Sequence, residues 1–209
     1  IHADGDSKNG LYYNDLVPER FGRIREYALG KLSGKSNIKK NVEALGIDLT
    51  DEEMKLITKR VTELGDKKEI ITQLDLPYII SDVLEGRKKE QHIKIVAYSF
   101  ALATNLRPCC SIGVMIDGEY HEESAPGDGQ YHALSKALFK IYKRLNKRIP
   151  ELLNYTVYIP PGGRTDALVQ TTITWKYDGK QIKTRGLDAD QMVAAIIATE
   201  RMLNLLEEI

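Results

Sequence analysis

Hydrophobic positions along the chain first change their spacing near residue 90. Before that point apolar residues recur at helical spacing, most clearly at Met54, Ile57, Val61 and Leu64. Thr50 and Glu53 precede this run in the order of a capping box. Three short helices are therefore predicted, one capped by Ser36 and ending near Gly46, one from Thr50 to Gly65, and one from Asp75 to about Leu84.

Beyond the polar break Gly86–Glu90 the apolar positions alternate, which is typical of half-buried strands. Helical spacing then returns in two further segments, from about Gln130 to Asn146 and after Gln191. The alternating sets are Val96, Tyr98, Phe100 and Leu102, then Cys110, Ile112, Val114 and Ile116, then Tyr155, Val157 and Ile159, and finally Ala167, Val169, Thr171, Ile173 and Trp175.

Two stretches repeat each other at a distance of 61 residues. Asp117-Gly118 corresponds to Asp178-Gly179, and Gln130 corresponds to Gln191. Asp-Gly between alternating segments is a strong hairpin signal. The repeat predicts two strand–turn–strand–helix units around a pseudo-two-fold axis, an arrangement that creates paired small-molecule sites and favours a regulatory domain over a catalytic one.

These patterns predict an α+β fold, with a small helical linker subdomain followed by a duplicated βββα domain. The expected divisions are a linker subdomain at residues 1–35, a small helical subdomain at 36–88 and a regulatory βββα–βββα domain at 89–209. Each helix must bury an apolar stripe against a sheet, so two units, or two chains, are expected to pack together.

Composition narrows the class of protein. Lys+Arg and Asp+Glu number 30 each, and a net charge of zero argues against a general nucleic-acid binder. No apolar run approaches the ~20 residues that cross a bilayer, and no signal peptide is evident. The only cysteines, Cys109 and Cys110, are adjacent and are predicted to point to opposite faces of a strand, which favours a reducing, cytoplasmic setting over a disulfide or metal site.

The segment Gly127-Asp128-Gly129 stands directly before a predicted helix. Glycine permits close approach of a ligand, and free N–H groups at a helix N-terminus attract a carboxylate. Asp128, however, is expected to cap its own helix and to oppose an anion. A plain strand-to-helix turn is the alternative interpretation.

Two other motifs are weaker. Gly30-Lys31-Leu32-Ser33-Gly34-Lys35-Ser36 approximates a phosphate loop but is one residue short of the required spacing, so a glycine-permitted turn competes with nucleotide binding. His2 and Asp4 could form an acid–base or metal pair, yet no further ligands stand at suitable spacing. No metal site is predicted within these 209 residues.

Taken together, the residues resemble the α-isopropylmalate synthase family, which includes the citramalate synthases. The resemblance covers nearly the whole chain and rests on the order and spacing of its pieces. These are His2-Ala3-Asp4-Gly5, Gly30-Lys31-Leu32-Ser33-Gly34-Lys35, Leu45-Gly46-Ile47 with the acidic capped helix, and the repeat domain with Gly127-Asp128-Gly129.

The resemblance implies that these residues are the part of such an enzyme that follows its (β/α)8 barrel. The barrel would condense acetyl-CoA with a 2-oxo acid and would hold a divalent metal, Mg, Mn or Zn. Ile1-His2-Ala3-Asp4-Gly5-Asp6, with no strand pattern and no helix cap, has the character of the middle of a loop, and a trimmed flexible terminus is the alternative interpretation. These 209 residues alone are expected to be inactive. A homodimer is implied, with leucine or isoleucine bound as end-product effector.

The resemblance also implies roles for individual residues. His2, Asp4, Leu11 and Tyr12 would lie near the partner chain's active site, with His2 assisting proton transfer at acetyl-CoA. His132 stands where the citramalate branch commonly has an acidic residue, which leaves the contact with the effector's amino group open. The implied effector pocket comprises Gly127, Asp128, Gly129, Tyr131, His132, Leu152, Tyr155, Ile159, Val169 and Gln191.

Overall fold

The computed structural model describes residue 29 and residues 35–67, 71–72, 74–86, 92–160 and 167–207. These residues form five helices and two three-stranded antiparallel sheets, which confirms the predicted α+β class. In chain order the elements are α1 (Lys35–Ala44), α2 (Asp51–Lys67), α3 (Leu76–Gly86), β1 (Ile93–Ala101), β2 (Cys109–Ile116), β3 (Glu119–Pro126), α4 (Gln130–Arg144), β4 (Glu151–Tyr158), β5 (Val169–Tyr177), β6 (Lys180–Asp188) and α5 (Gln191–Leu206).

The chain divides into two compact units. The first, Ile1–Glu85 with Pro160–Leu168, carries α1, α2 and nearly all of α3. The second, Gly86–Ile159 with Val169–Ile209, carries both sheets and the last two helices. The finer borders expected at residues 35 and 88 stay predictions.

The capping box at the start of α2 is confirmed. The Thr50 N–H donates to the Glu53 carboxylate at 2.9 Å, and the Glu53 N–H donates to Thr50 Oγ1 at 3.3 Å. The predicted apolar stripe of α2 is buried. Two boundary predictions were wrong: α1 begins at Lys35, so Ser36 lies in its first turn, and α2 continues through Gly65 to Lys67.

The repeat in the sequence is a repeat in the structure. The first sheet has the order β1-β2-β3 and the second has the order β4-β5-β6. Asp117 and Gly118 (φ 49° and 86°) and Asp178 and Gly179 (φ 46° and 77°) both form hairpin turns with two residues in the left-handed region. α4 packs on β2 and β3, and α5 packs on β5 and β6. The βββα–βββα architecture is therefore as predicted.

The first strand of each sheet, β1 and β4, is an edge strand with a bulge that the alternating pattern did not reveal. In β1 the register shifts between Ile95 and Ala97, which leaves Val96 as the extra residue. Ile93 and Ile95 are buried before the bulge, whereas Val96, predicted to lie on the buried face, is 46% exposed. In β4 the register shifts in the same way between Leu152 and Asn154.

The helix α5 also forms hydrogen bonds with the first sheet, through side chains that contact the backbone of β1. Asn204 accepts the Ile93 N–H at 2.9 Å and donates to the Ile93 carbonyl at 2.8 Å, and Glu200 accepts the Ile95 N–H at 2.6 Å. These side chains satisfy backbone groups on the open edge of β1. One hydrophobic core consequently spans both halves, with Trp175 at 0% exposure. No helix in the described ranges has the length and apolarity needed to cross a membrane.

Candidate functional site

The N-termini of α4 and α5 occupy equivalent places in the repeat but are capped differently. In α5 the N-cap is Asp190, whose carboxylate accepts the Met192 N–H at 2.7 Å and the Val193 N–H at 3.0 Å. The equivalent residue before α4 is Gly129, which has no side chain to cap the helix. The first-turn N–H groups of α4 thus lack the cap that the second copy supplies.

The prediction that Asp128 caps its own helix was wrong. The N-cap is the following residue, Gly129, in extended backbone with φ −155°. The Asp128 carboxylate instead lies 3.2 Å from His132 Nδ1 and 3.8 Å from Arg107 Nε. Arg107 therefore offsets part of its charge, while His132 adds to this only when its ring is protonated. Because the carboxylate does not cap α4, the N–H groups of the first turn stay open to an anion.

Gly127 brings the turn close to the helix. A Cβ at this position would collide with the backbone of Ala133, so only glycine fits here. The Gly127 N–H donates to the Pro108 carbonyl at 2.9 Å, which ties the turn to the loop between β1 and β2. That loop carries Arg107 to the same place.

Tyr131 and Tyr155 meet between the two halves of the repeat. Their ring centroids are 4.8 Å apart and the rings are tilted by 44°. Tyr131 lies in the first turn of α4, and its hydroxyl oxygen is 2.8 Å from Thr199 Oγ1 of α5. Burial raises the pKa of Tyr131 well above its ordinary value of 10, so the hydroxyl stays neutral.

The Tyr155 hydroxyl is buried and has no hydrogen-bond partner among the described residues. A buried hydroxyl without a partner costs free energy, and it is available to a bound molecule or to water. Because the bulge in β4 inserts an extra residue, Leu152 and Tyr155 share one face of the second sheet, although they are three residues apart. Val169 has the same facing on β5, but six residues from Trp175, the partner of Leu152, which is about 20 Å along the strand. Leu152 is 42% exposed.

The other predicted site residues are dispersed. His2, Asp4, Leu11 and Tyr12 lie outside the described residues. Ile159 follows the end of β4 and is 56% exposed, and Gln191 is an exposed residue at the start of α5. In the phosphate-loop-like segment only Lys35 and Ser36 are described, and they begin α1.

Two residues at this site were missed by the sequence reasoning. Thr199 interrupts the apolar stripe of α5, and that interruption was the available signal. Arg107 gave no signal, because only the folded loop brings it to Asp128. Within the described ranges, no group of three His, Cys, Asp or Glu side chains could hold a metal ion.

Comparison with known proteins gives the chain two family matches. Residues 70–207 match the family described as the LeuA allosteric (dimerisation) domain. Residues 1–69 match the family described as the homocitrate synthase post-HMGL domain-like. The two matches together cover the chain from residue 1 to residue 207.

Similar proteins are synthases of two kinds. A probable 2-isopropylmalate synthase of Methanopyrus kandleri is 35% identical over 99% of this chain and 41% of its own length. A putative (R)-citramalate synthase of Archaeoglobus fulgidus is 32% identical over 99% of this chain and 41% of its own length. An (R)-citramalate synthase of Methanocaldococcus jannaschii is 31% identical over 99% of this chain and 42% of its own length.

The chain thus spans about two fifths of the length of these relatives. Residues 70–207 correspond to an allosteric (dimerisation) domain, as the matched description states. Since that description matches 70–207, well over half of the residues, the chain belongs to the LeuA allosteric (dimerisation) domain family and matches a C-terminal part of isopropylmalate and citramalate synthases.

Proposed function

We propose that this chain is the linker and regulatory region of a 2-isopropylmalate synthase and binds a branched-chain amino acid as feedback inhibitor. The parent enzyme would be an acyltransferase of leucine biosynthesis that condenses acetyl-CoA with 2-oxoisovalerate. The observation that carries the proposal is the contact between Tyr131 of the first half and Tyr155 of the second, beside a helix N-terminus without a side-chain cap. The match to an allosteric domain supports the same assignment.

The chemistry of the site suits an α-amino acid. The first-turn N–H groups of α4 would bind the carboxylate, aided by the positive end of the helix dipole. The tyrosine rings, with Leu152 on the same sheet face as Tyr155, would receive an aliphatic side chain. The free Tyr155 hydroxyl adds one polar group with which to orient the ligand.

Inhibition requires that the effector bind two states of the parent enzyme with different affinity. In this chain the ligand would touch both halves of the repeat, through Tyr131 and through Tyr155. It would therefore favour one arrangement of the halves over another. The divalent metal of the condensation would belong to the catalytic barrel of the parent enzyme.

Two alternatives stay open. The chain could be the regulatory region of an (R)-citramalate synthase, which condenses acetyl-CoA with pyruvate and would bind isoleucine; the names of two of the relatives favour this assignment. The domain could also dimerise the enzyme without binding any effector. Measured affinities for leucine and isoleucine discriminate between these possibilities.

We expect Tyr155→Ala to weaken leucine binding at least tenfold, because it removes both the ring contact with Tyr131 and the free hydroxyl. Tyr155→Phe keeps the ring and should weaken binding about fivefold, because the loss of one neutral hydrogen bond costs ~1 kcal/mol. Calorimetry with leucine, isoleucine and valine measures these affinities. Tyr120→Ala, at an exposed tyrosine of β3, is the matched control and should bind like the wild type. Failure of all three amino acids to bind the wild-type protein at millimolar concentration would leave only the dimerisation role.

We propose that a homodimer forms through the edge strand β4. This strand and the residue after it expose five large apolar side chains by 41–56%, an unusual density for an edge strand facing water. The matched domain is described as a dimerisation domain, which supports a second copy as the partner. The five side chains are Leu152, Leu153, Val157, Tyr158 and Ile159.

Leu153→Lys is expected to shift the protein from dimer to monomer, because a charge would be buried within this surface. Analytical ultracentrifugation over a concentration series measures the change, with an expected weakening of at least tenfold. Gln181→Lys adds the same charge to β6, at the opposite edge of the same sheet, and should leave the dimer intact. Equal behaviour of the two variants would rule out β4 as the interface.

A further inference from the structure

His132 stands at a position where its ring nitrogen can make two mutually exclusive contacts. Nδ1 lies 3.2 Å from the backbone nitrogen of Asp128 and 3.2 Å from Oδ2 of the same residue. An Nδ1 without a proton can only accept, and its partner is then the Asp128 N–H. An Nδ1 that carries a proton can only donate, and its partner is then the carboxylate.

We infer that His132 is a protonation switch for the glycine turn that precedes α4. With the ring neutral and its proton on Nε2, the Asp128 amide is bound to the imidazole. When the ring takes up a second proton, Nδ1–H turns to the Asp128 carboxylate and the amide is released. Histidine is suited to this role because it changes charge within the physiological pH range.

Charged groups of both signs surround the His132 ring. Arg107 Nε lies 3.8 Å from the Asp128 carboxylate and shares its charge when the imidazole is neutral. On α4 itself, Lys136 stands four residues after His132, and the N-terminus of the helix adds partial positive charge. The Asp128 carboxylate is the negative group that a protonated ring would contact.

The position of the switch gives it a functional consequence that rests on the proposed effector site. Acidification would place a full positive charge and a released amide beside the N–H groups assigned to the effector carboxylate. The switch itself, however, is a property of the effector-free protein. Its test needs no ligand, so its failure and the failure of the effector proposal are separately observable.

Solvent-exchange NMR of the effector-free protein tests this inference. When the pH is lowered from 8 to 5, we expect the protection factor of the Asp128 amide to fall about fivefold, after correction for intrinsic exchange. One such hydrogen bond contributes ~1 kcal/mol, which corresponds to this factor. The loss should follow the movement of the His132 ring resonances. His132→Ala should abolish it, whereas His121→Ala, at a histidine of β3, should retain it.

The Asp128→Asn variant distinguishes whether the imidazole or the carboxylate is the group that titrates. This variant keeps the backbone amide and removes the acid, so a transition that persists in it belongs to His132. Loss of the transition in Asp128→Asn with retention in His132→Ala would overturn the inference. So would an Asp128 amide whose protection stays constant while the His132 ring titrates.

Discussion

Gly186→Ala is expected to destabilise the second unit by about 3 kcal/mol or more. Gly186 lies on β6, where α5 crosses the sheet closely enough that backbone contacts backbone. A Cβ added here would collide with the Ala194 carbonyl oxygen and lie 2.8 Å from the Ala198 nitrogen. Because these are backbone atoms of a helix, no rotamer change can relieve the overlap.

Denaturant unfolding followed by the fluorescence of Trp175 measures this effect. Trp175 is the only tryptophan and is fully buried in the second unit, so it reports on that unit. Gly129→Ala is the control, because a Cβ there meets nothing within 4 Å and the backbone is extended. It should cost less than ~1 kcal/mol, as for an exposed N-cap. Similar costs for the two variants would contradict the close packing of α5 on β6.

The spacing of residues predicted the architecture of the second unit because local chemistry determines it. A two-residue hairpin turn requires two residues in the left-handed region, which Asp-Gly tolerates, and both turns formed as expected. Gln130 and Gln191 are the first residues of α4 and α5, as the repeat indicated. The bulges at Val96 and Leu153 escaped prediction, because an extra residue in a strand depends on its neighbours across the sheet.

In the candidate site, too, some features were predicted from the sequence and others were not. Tyr131 and Tyr155 were placed in one pocket through resemblance, and the structure brings their rings to 4.8 Å. The role of Asp128 was predicted wrongly, because an acidic residue beside a helix start normally caps it. Gly129 takes that position instead, and the carboxylate finds Arg107 on a loop 21 residues earlier in the chain. Spacing alone cannot reveal such a long-range charge pair.

Glu200→Gln is expected to make the protein more stable at pH 8 and to remove most of its loss of stability between pH 4.5 and 7. Burial raises the pKa of Glu200 from 4.5 to about 7, while the Ile95 N–H, Lys94 and Arg201 act in the opposite direction. In that pH range the folded state therefore binds the Glu200 proton more tightly than the unfolded state. Stability contributed by this group is complete below pH 4.5 and is lost as the pH rises toward 7.

The full difference corresponds to on the order of 3 kcal/mol above pH 7, since one pKa unit is equivalent to ~1.4 kcal/mol. Glutamine retains an oxygen that can accept the Ile95 N–H, now made at 2.6 Å, so the contact between α5 and β1 should survive the substitution. The measurement is the free energy of unfolding, by Trp175 fluorescence, at pH 4, 6 and 8. Glu122→Gln, at an exposed carboxylate of β3, controls for the loss of one negative charge. If wild type and Glu200→Gln change in parallel with pH, the ionised Glu200 is not destabilising and its carboxylate must be better solvated than its burial against β1 implies.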